Sequence, residues 1–336
     1  MKAVRLSKVG NIENLELTDV PVPQPDRGEV RVRLKASALN HRDLWIVQGL
    51  YAKIKLPVTL GSDGAGVVDE VGKDVDRDWL GKEVVINPSL HWGKDLKAQQ
   101  SGFRILGMPD DGTQAEFTII PAANIFPKPV HLSFEEAAAL PLGGVTGFRA
   151  LFTQGYLQKG ESVLLTGIGG GVAALMLVMA LAADARVFVT SGSDNKIKAA
   201  MEIGAQGGVN YRRDHWPRAL EKMAGSSQID LVVDSAGGDG FLHLIELVKP
   251  GGRIVNFGAT AGNPIRLNLR RIFWKQIAIQ GTTMGSPTDF YNMLQFFESH
   301  KIGPVIDSVA ELADFRKVYN RMLEGTHFGK LVLKNS

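Results

Sequence analysis

The chain has 336 residues, about twice the length of a typical domain, so we expect two domains that each bury a core. Its 38 Lys and Arg residues against 35 Asp and Glu give a net charge of +3, too small a surplus to indicate a nucleic-acid partner. It contains no cysteine, which excludes disulfides and thiolate metal sites. The start, MKAVRLSKVG, lacks the apolar core of a signal peptide, and the longest apolar run, from Val172 to Ala183, is too short to cross a bilayer. We therefore predict a cytoplasmic enzyme with no membrane contact.

Short and often alternating apolar runs, separated by Gly, Pro and Asp, predict β-strands over much of residues 1–124. They include KAVRLS, ENLELTDV, EVRVRLKASALN, GAGVVDEVG, KEVVINP and TQAEFTII. One helical turn is predicted from Asn40 to Gln48. The segment from Ser89 to Asp111 breaks this rhythm, and its polar composition predicts an excursion or flap rather than core. The whole pattern is typical of a rolled, barrel-like β domain.

A change of composition through the three prolines of PAANIFPKP predicts a domain boundary near residue 124. Beyond it, Ser133 and Glu136 have the spacing of a helix capping box. Strand-like runs then alternate with helical patterns from Ser162 to Thr282, which predicts a doubly wound parallel sheet with helices on both faces, an α/β fold, over residues 125–286. A helix over Asp289–His300 and a last strand in FGKLVLKN are expected to return to the first domain, which then comprises residues 1–124 and 287–336.

A glycine turn joins the strand-like run SVLL to an apolar helix, in SVLLTGIGGGVAALMLVMALA. This strand, glycine turn and helix are typical of a dinucleotide site, because residues without a Cβ let backbone N–H groups approach a pyrophosphate at the helix N-terminus. Ala173 stands where a third glycine is common and is small enough for close helix packing. The alternative is an ordinary turn that binds no ligand, but the next strand, Arg186–Thr190, arrives at the spacing of a dinucleotide fold.

The end of that second strand distinguishes the two nicotinamide cofactors. An NAD site usually places a carboxylate there for the ribose hydroxyls, whereas this strand ends in Thr, Ser, Gly and Ser. Hydroxyl and cationic groups suit a 2′-phosphate and favour NADP(H) over NAD(H). The groups in question are Ser191, Lys196, Tyr211, Arg212 and Arg213, although a solvated basic turn fits one of the two arginines equally well. Asp194 favours NAD(H), but its place before NKIKAAMEIGA predicts a helix N-cap.

Seven motifs occur in the order found in one enzyme superfamily: KASALNHRDLWIVQGLY, LPVTLGSDGAGVVDEVG, AAALPLGGVTGFRAL, TGIGGGVA, VDSAGG, LVKPGGRIVNFGA and FGKLVLK. Over essentially its whole length the chain resembles the medium-chain dehydrogenase/reductase superfamily, within it the zinc-free quinone oxidoreductase-like branch. The resemblance implies a GroES-like catalytic domain and a Rossmann domain. It also implies a homodimer in which the strand Ile277–Thr283 extends the sheet into the partner.

The resemblance also implies where zinc-dependent members hold their catalytic metal. Asn40 stands at the position of the first cysteine, Ser62 and Asp63 replace the His-Glu pair, and Leu142 falls near the third ligand. Asn, Ser and Leu do not form a tetrahedral nitrogen and sulfur site, so we predict no metal. The alternative metal-binding group consists of His41, Asp43 and Asp63.

Without a Lewis acid, hydride transfer depends on positioning and on hydrogen bonds to the oxygen where charge develops, which suits quinones and enones. The resemblance implies that Asn40 and Tyr51 line the active site as hydrogen-bond donors. It implies that Trp45 replaces a family tyrosine and that Thr146 lies beside the nicotinamide. Each of the first three has a structural alternative: Asn40 as the cap of the predicted helix, Tyr51 as surface packing and Trp45 as core.

The remaining cofactor contacts implied by the resemblance lie in the glycine turn and after later strands: Gly167, Gly170, Gly171, Val172, Asn256, Gly258, Ala259 and Thr282. With Ser191, Lys196 and Tyr211 they form the predicted NADP(H) site. The function predicted is NADPH-dependent reduction of quinones or other activated carbonyl or alkene compounds, which are small molecules. Two alternatives stay open: an alcohol dehydrogenase with an unorthodox metal site, and an NADPH-binding sensor or structural protein without turnover.

Overall fold

The computed structural model describes residues 1–225, 228–264 and 266–335. In chain order its strands are β1 (Lys2–Leu6), β2 (Leu15–Asp19), β3 (Glu29–Ala38), β4 (Val58–Thr59), β5 (Asp63–Val71), β6 (Glu83–Ile86), β7 (Ser89–Leu90), β8 (Arg104–Ile105), β9 (Phe117–Pro121), β10 (Ile125–Pro127), β11 (Ser162–Leu165), β12 (Arg186–Ser191), β13 (Gly207–Asn210), β14 (Ile229–Asp234), β15 (Val248–Asn256), β16 (Ala278–Gly281), β17 (Ile306–Glu311) and β18 (Lys330–Lys334). Its α-helices are α1 (His41–Val47), α2 (Phe134–Ala138), α3 (Pro141–Phe148), α4 (Gly171–Ala182), α5 (Asp194–Ile203), α6 (Trp216–Ala224), α7 (Phe241–Leu247), α8 (Leu269–Lys275), α9 (Pro287–His300) and α10 (Phe315–Glu324). No helix in these ranges is long and apolar enough to span a bilayer.

The chain divides into two compact units. The first unit comprises Met1–Val145 and Gly285–Ser336, and the second comprises Thr146–Met284. The first division therefore falls about twenty residues beyond the proline-rich segment that suggested a boundary near residue 124. The reason is that β10 pairs with β6, with Ile125 opposite Ile86, and that the backbone N–H of Leu142 donates to Asp63 Oδ1 at 2.7 Å. The prolines mark a loop inside the first unit.

The first unit is built on a seven-stranded sheet in the order β10-β6-β5-β3-β18-β17, with β9 also paired to β3. Strand β3 alternates as a half-buried strand should, and Val30, Val32 and Leu34 are at most 1% exposed. Strand β18 pairs antiparallel with β3, so the predicted return of the last strand to this unit is confirmed. The predicted β-rich character of the first domain is confirmed with it.

The composition of the segment from Ser89 to Asp111 predicted an excursion or flap rather than core, and this prediction is wrong for both ends of the segment. Leu90 and Leu106 belong to the apolar core between the strands, and Met108 belongs to a second core cluster. Trp92 is 2% exposed and meets Phe103 edge to face at a centroid distance of 5.4 Å. Only the middle of the excursion, residues 94–102, is exposed throughout, because apolar residues at both ends anchor it.

The second unit contains a six-stranded sheet in the order β13-β12-β11-β14-β15-β16, with every neighbouring pair parallel. The strand order reverses between β11 and β14, as in a doubly wound fold. Every residue of β14 is buried, as expected for a strand covered by helices on both faces. The predicted Rossmann domain is therefore confirmed.

Candidate active site and cofactor site

The glycine turn of the second unit lies between β11 and α4. Gly167 and Gly169 have φ values of +68° and +119°, which side chains with a Cβ rarely adopt. Gly170 is the N-cap residue of α4. A Cβ placed on Gly169 would lie 3.1 Å from Lys196 Nζ, so the lysine crosses this turn. The turn thus combines a helix N-terminus with a cation, two features that bind anions.

A buried carboxylate ties together the loops at the carboxyl ends of the strands. Asp234, 1% exposed, accepts hydrogen bonds from Thr166 Oγ1 at 2.7 Å, Gly237 N–H at 2.8 Å and Asn256 Nδ2 at 3.1 Å. Asn256 Nδ2 also donates to the carbonyl oxygen of Gly258 at 2.9 Å. Sequence reasoning named Asn256 and Gly258 but missed Asp234. The sequence feature that could have indicated this residue is its position, since Asp234 directly follows the apolar run IDLVV.

Two predicted cofactor residues lie beside the end of β12. A Cβ on Gly192 would lie 2.8 Å from Tyr211 Oη and 2.9 Å from Arg212 Nε, so both side chains border this glycine. Ser191 is 4% exposed, and its hydroxyl donates to the carbonyl oxygen of Ile168 at 3.2 Å. Ser191 therefore fastens β12 to the glycine turn, whereas Tyr211 is about half exposed.

Asp194 is not the helix N-cap predicted from the sequence. It is the first residue of α5, and Ser193 occupies the N-cap position. Its carboxylate accepts from Asn210 Nδ2 at 3.1 Å and pairs with Arg213 at 2.7 Å. The hydrogen bond from Asn210, with the Arg213 guanidinium, holds the pKa of this carboxyl below its usual value. The cap position was missed because Ser193 and Asp194 are both good N-cap residues.

A buried lysine is the centre of the polar cluster in the first unit. Lys330, 2% exposed, donates from Nζ to Leu39 O at 2.9 Å, Asn40 Oδ1 at 2.9 Å and Asp63 Oδ2 at 2.7 Å. The other oxygen of Asp63 accepts from the backbone N–H of Leu142. Lys330 was missed from the sequence, where it is the first of the two lysines in FGKLVLK and resembles an ordinary charged residue at the start of a strand.

Asn40 is the N-cap residue of α1 and is 8% exposed. Its backbone N–H donates to Asp43 Oδ2 at 2.8 Å within the capping box of α1, so the structural alternative, a helix cap, is confirmed for this residue. Its side-chain Nδ2 has no hydrogen-bond partner among the described residues. Asp43 is fully buried, and burial raises the pKa of its carboxyl to about 6, against the opposing charge of Arg42.

Arg42 fixes the surroundings of Tyr51. Its guanidinium carbon lies 5.2 Å from the centroid of the Tyr51 ring, and its Nη1 donates to Ser62 Oγ at 2.7 Å and to Leu106 O at 2.9 Å. Tyr51 packs against an apolar core cluster while remaining partly exposed. Trp45 is also partly exposed, and its ring lies 5.9 Å from that of His41. Both aromatic residues therefore combine packing with access to solvent.

The other candidate residues belong to the second unit. Thr146 is 5% exposed, and its hydroxyl lies 3.9 Å from Met284 Sδ. Thr282 donates its backbone N–H to Asn256 O at 2.9 Å, and its buried hydroxyl has no hydrogen-bond partner among the described residues. Asn40, Trp45 and Tyr51 thus share one unit, while Thr146 and the predicted cofactor residues share the other.

The residues at the zinc positions do not fit a zinc ion. Asp63 is paired with an ammonium group and a backbone N–H, and Ser62 accepts from Arg42 while donating to Leu106 O. The positive charge of Lys330 beside Asp63 and Asn40 would repel a divalent cation. Within residues 1–225, 228–264 and 266–335 no three His, Cys, Asp or Glu side chains could jointly hold a metal.

Comparison with known proteins identifies the family. The alcohol dehydrogenase GroES-like domain matches residues 26–130, and the zinc-binding dehydrogenase domain matches residues 171–299. The chain is 35% identical to the zinc-type alcohol dehydrogenase-like protein YogA of Leptosphaeria maculans, over 95% of this chain and 94% of that protein. It is 30% identical to quinone oxidoreductase-like protein 2 of Bos taurus, over 95% and 87% of the two chains.

A crystal structure of an NAD-dependent alcohol dehydrogenase, 39% identical, superposes with a TM-score of 0.92 over 99% of both chains. The chain therefore belongs to the medium-chain dehydrogenase/reductase superfamily. It is an oxidoreductase with the fold that binds a nicotinamide cofactor in this superfamily.

Proposed function

We propose that this chain is a zinc-independent, NADP(H)-dependent oxidoreductase that reduces quinones or other activated carbonyl or alkene compounds. The observation that carries the proposal is the cluster of Lys330, Asp63 and Asn40. It replaces the donor set of a metal with an ion pair, and it leaves a buried amide N–H unpaired. Such a donor stabilises an oxygen on which negative charge develops, and a conjugated acceptor needs less of that stabilisation than a simple aldehyde does.

The bound cofactor would supply the hydride, and the residues of this chain would bind, orient and shield the reactants. We assign Asn40 Nδ2 as the principal donor to the substrate oxygen and Tyr51 as a second donor, held by its contact with Arg42. Trp45 supplies apolar surface against a conjugated ring. We assign Thr146 a position beside the nicotinamide ring of the bound cofactor.

The choice of NADP(H) is supported by the charges near the end of β12. Asp194, the nearest acid after that strand, is already paired with Arg213, while Arg212 and Tyr211 border Gly192 and Lys196 crosses the glycine turn. Cations and hydroxyls suit a 2′-phosphate. The alcohol dehydrogenase that is 39% identical to this chain is NAD-dependent, so the proposed NADP(H) preference distinguishes this chain from a structural relative. The cofactor residues proposed are Gly167, Gly170, Gly171, Val172, Ser191, Lys196, Tyr211, Asn256, Gly258, Ala259 and Thr282.

A second candidate function is alcohol oxidation with NAD, favoured by the description of that 39% identical structure. The two functions differ in cofactor and in substrate. Purified protein should be stabilised against heat more by NADPH than by NADH and should oxidise NADPH in the presence of a quinone or enone. Alcohol-dependent reduction of NAD without quinone turnover would favour the second function. Binding of NADPH with no turnover on either panel would favour a sensor.

We also propose a homodimer formed through the edge of the six-stranded sheet. Strand β16 lies at that edge, and all four of its residues are exposed. Phe273 and Trp274, on the adjacent helix α8, are 66% and 79% exposed. An open sheet edge flanked by large apolar side chains is a surface that association would cover. Light scattering should give twice the chain mass for the wild type and a smaller mass for Trp274→Glu.

A further inference from the structure

We infer that Lys330 is a positioning residue that fixes the orientation of the Asn40 side chain, so that Nδ2 is presented to the substrate. This inference rests on the proposed function, because it takes Asn40 as the donor to the substrate oxygen. The observation behind it is the direct contact between Lys330 Nζ and Asn40 Oδ1, at 2.9 Å in a buried setting.

The chemistry of the two groups allows only one orientation of the amide. A lysine ammonium group has three N–H donors and no acceptor, whereas a carboxamide has an oxygen acceptor and an NH₂ donor on opposite sides. Only Oδ1 can face Lys330, so Nδ2 must point away from it. Without the lysine, only the weaker capping contact from the Asp43 backbone N–H would oppose an exchange of the two similarly shaped ends of the amide.

Lys330 has no donor left for a substrate. Its three acceptors are Leu39 O, Asn40 Oδ1 and Asp63 Oδ2, all within 2.9 Å. No N–H of Lys330 is free to hydrogen-bond a substrate, so its hydrogen-bonded link to one runs through Asn40, and hydrogen bonds in a chain strengthen one another in a medium of low dielectric constant. This is why Lys330 positions a donor and is not itself a catalytic residue.

The lysine is held firmly enough to impose this geometry. Its backbone N–H donates to Val305 O at 2.9 Å, and the next three residues of β18 are at most 1% exposed. Its partner Asp63 is fixed in turn by Leu142 N–H at 2.7 Å. Both ends of the Lys330 side chain are therefore anchored.

The unpaired Nδ2 of Asn40 indicates that a ligand binds beside it. Nδ2 of Asn40 is buried and has no hydrogen-bond partner among the described residues, which is costly unless another molecule pairs with it. An oxygen of the substrate would complete the pairing.

The decisive experiment is a mutant cycle in NADPH-dependent quinone reduction. Asp63→Asn with Lys330→Met removes both charges together, so that no buried charge is left unpaired, and Asn40→Ala removes the donor. We expect each to lower kcat by about 10- to 100-fold with little change in KM for NADPH. In the Asn40→Ala background the double substitution should cause no further loss. Independent losses that multiply, or a double variant with wild-type kcat, would overturn the inference.

Two controls separate positioning from folding. Lys128, whose side chain is 7% exposed and pairs with the exposed Glu83, is a partly buried lysine of the same unit, and Lys128→Met should keep kcat within about twofold. Asn40→Asp retains an acceptor for Lys330 but has no N–H, so it should fold and still lose kcat by about 100-fold. An active Asn40→Asp enzyme would contradict the inference.

An NMR measurement needs no turnover and therefore tests the inference even if the protein reduces no acceptor. Failure to reduce any acceptor would count against the proposed function alone. The two side-chain amide proton signals of Asn40 can be assigned by nitrogen-15 NMR from their loss in Asn40→Asp. We expect them to be sharp and distinct in the wild type and broadened in the Asp63→Asn, Lys330→Met protein. Unchanged signals would overturn the inference.

Discussion

Each unit contains an ion pair with the same nitrogen to oxygen distance of 2.7 Å, in opposite surroundings. The side chains of Lys330 and Asp63 in the first unit are 2% and 0% exposed, whereas those of Arg213 and Asp194 in the second are 70% and 59% exposed. A buried pair is costly to break, because the remaining partner keeps an unpaired charge in a medium of low dielectric constant. An exposed pair is screened by water and salt and contributes little. Although the two nitrogen to oxygen distances are equal, breaking the buried pair should therefore lower the stability far more than breaking the exposed pair.

The largest expected effect follows from breaking the buried pair on one side. Lys330→Met alone leaves Asp63 charged and buried and should lower the free energy of unfolding by about 3–5 kcal/mol. Urea unfolding measures this loss. Adding Asp63→Asn should recover most of it, because the amide oxygen of the new side chain can still accept from Leu142 N–H; no recovery would show that packing, not charge, explains the loss.

The next effect concerns the cations of the second unit. Lys196→Glu places a negative charge beside the glycine turn and should weaken NADPH binding by about 100-fold, and NADH binding much less. Titration of both cofactors by calorimetry measures the difference, with Lys198→Glu on the same helix as the matched control. Equal losses for the two cofactors would contradict the assignment of a 2′-phosphate site.

Asp43 is a third case, a buried acid without a close ion-pair partner in the part of the chain that the structure describes. Its distance to Arg42 Nη1 is 4.0 Å. Burial raises the pKa of its carboxyl from 3.8 to about 6, so between these values the folded protein holds a proton that the unfolded chain releases. The free energy of unfolding should therefore fall by about 1–3 kcal/mol as pH rises from about 4 to 6 and then stay level. Asp43→Asn should remove this fall in urea titrations at several pH values, and a fall of equal size in the variant would assign it to another group.

The smallest effect is expected at the exposed pair. Arg213→Ala should lower the free energy of unfolding by less than about 1 kcal/mol. Because it also leaves Asp194 without its guanidinium partner near the end of β12, NADPH binding should weaken slightly and NADH binding should not. A stability loss as large as that of Lys330→Met would refute the comparison drawn between the two pairs.

Local patterns predicted most of the fold, while the polar clusters depend on contacts across the chain. The parallel sheet was predictable because its central strands are short apolar runs, and the glycine turn was predictable because its backbone needs positive φ. The division at residue 145 was missed because Leu142 is held by Asp63, 79 residues earlier. Lys330 was missed for the same reason, since its partner Asp63 lies 267 residues away.

Among the predicted site residues, Asn40 came from family resemblance, but the orientation of its amide required coordinates. A lysine in a strand is usually placed on a surface, because burial of its charge is costly without a partner. No local pattern around Lys330 indicates that a partner exists. Candidate cofactor residues are easier to propose from a sequence, since glycine turns and strand ends place them at adjacent positions.

The central claim is that this site works with an ion pair and an amide in place of a metal. The most direct test is NADPH oxidation by a quinone after dialysis of the untagged protein against a chelator, with zinc measured on the same sample by mass spectrometry. The account predicts undiminished kcat at far less than one zinc per chain. Loss of turnover that stoichiometric zinc restores would contradict it.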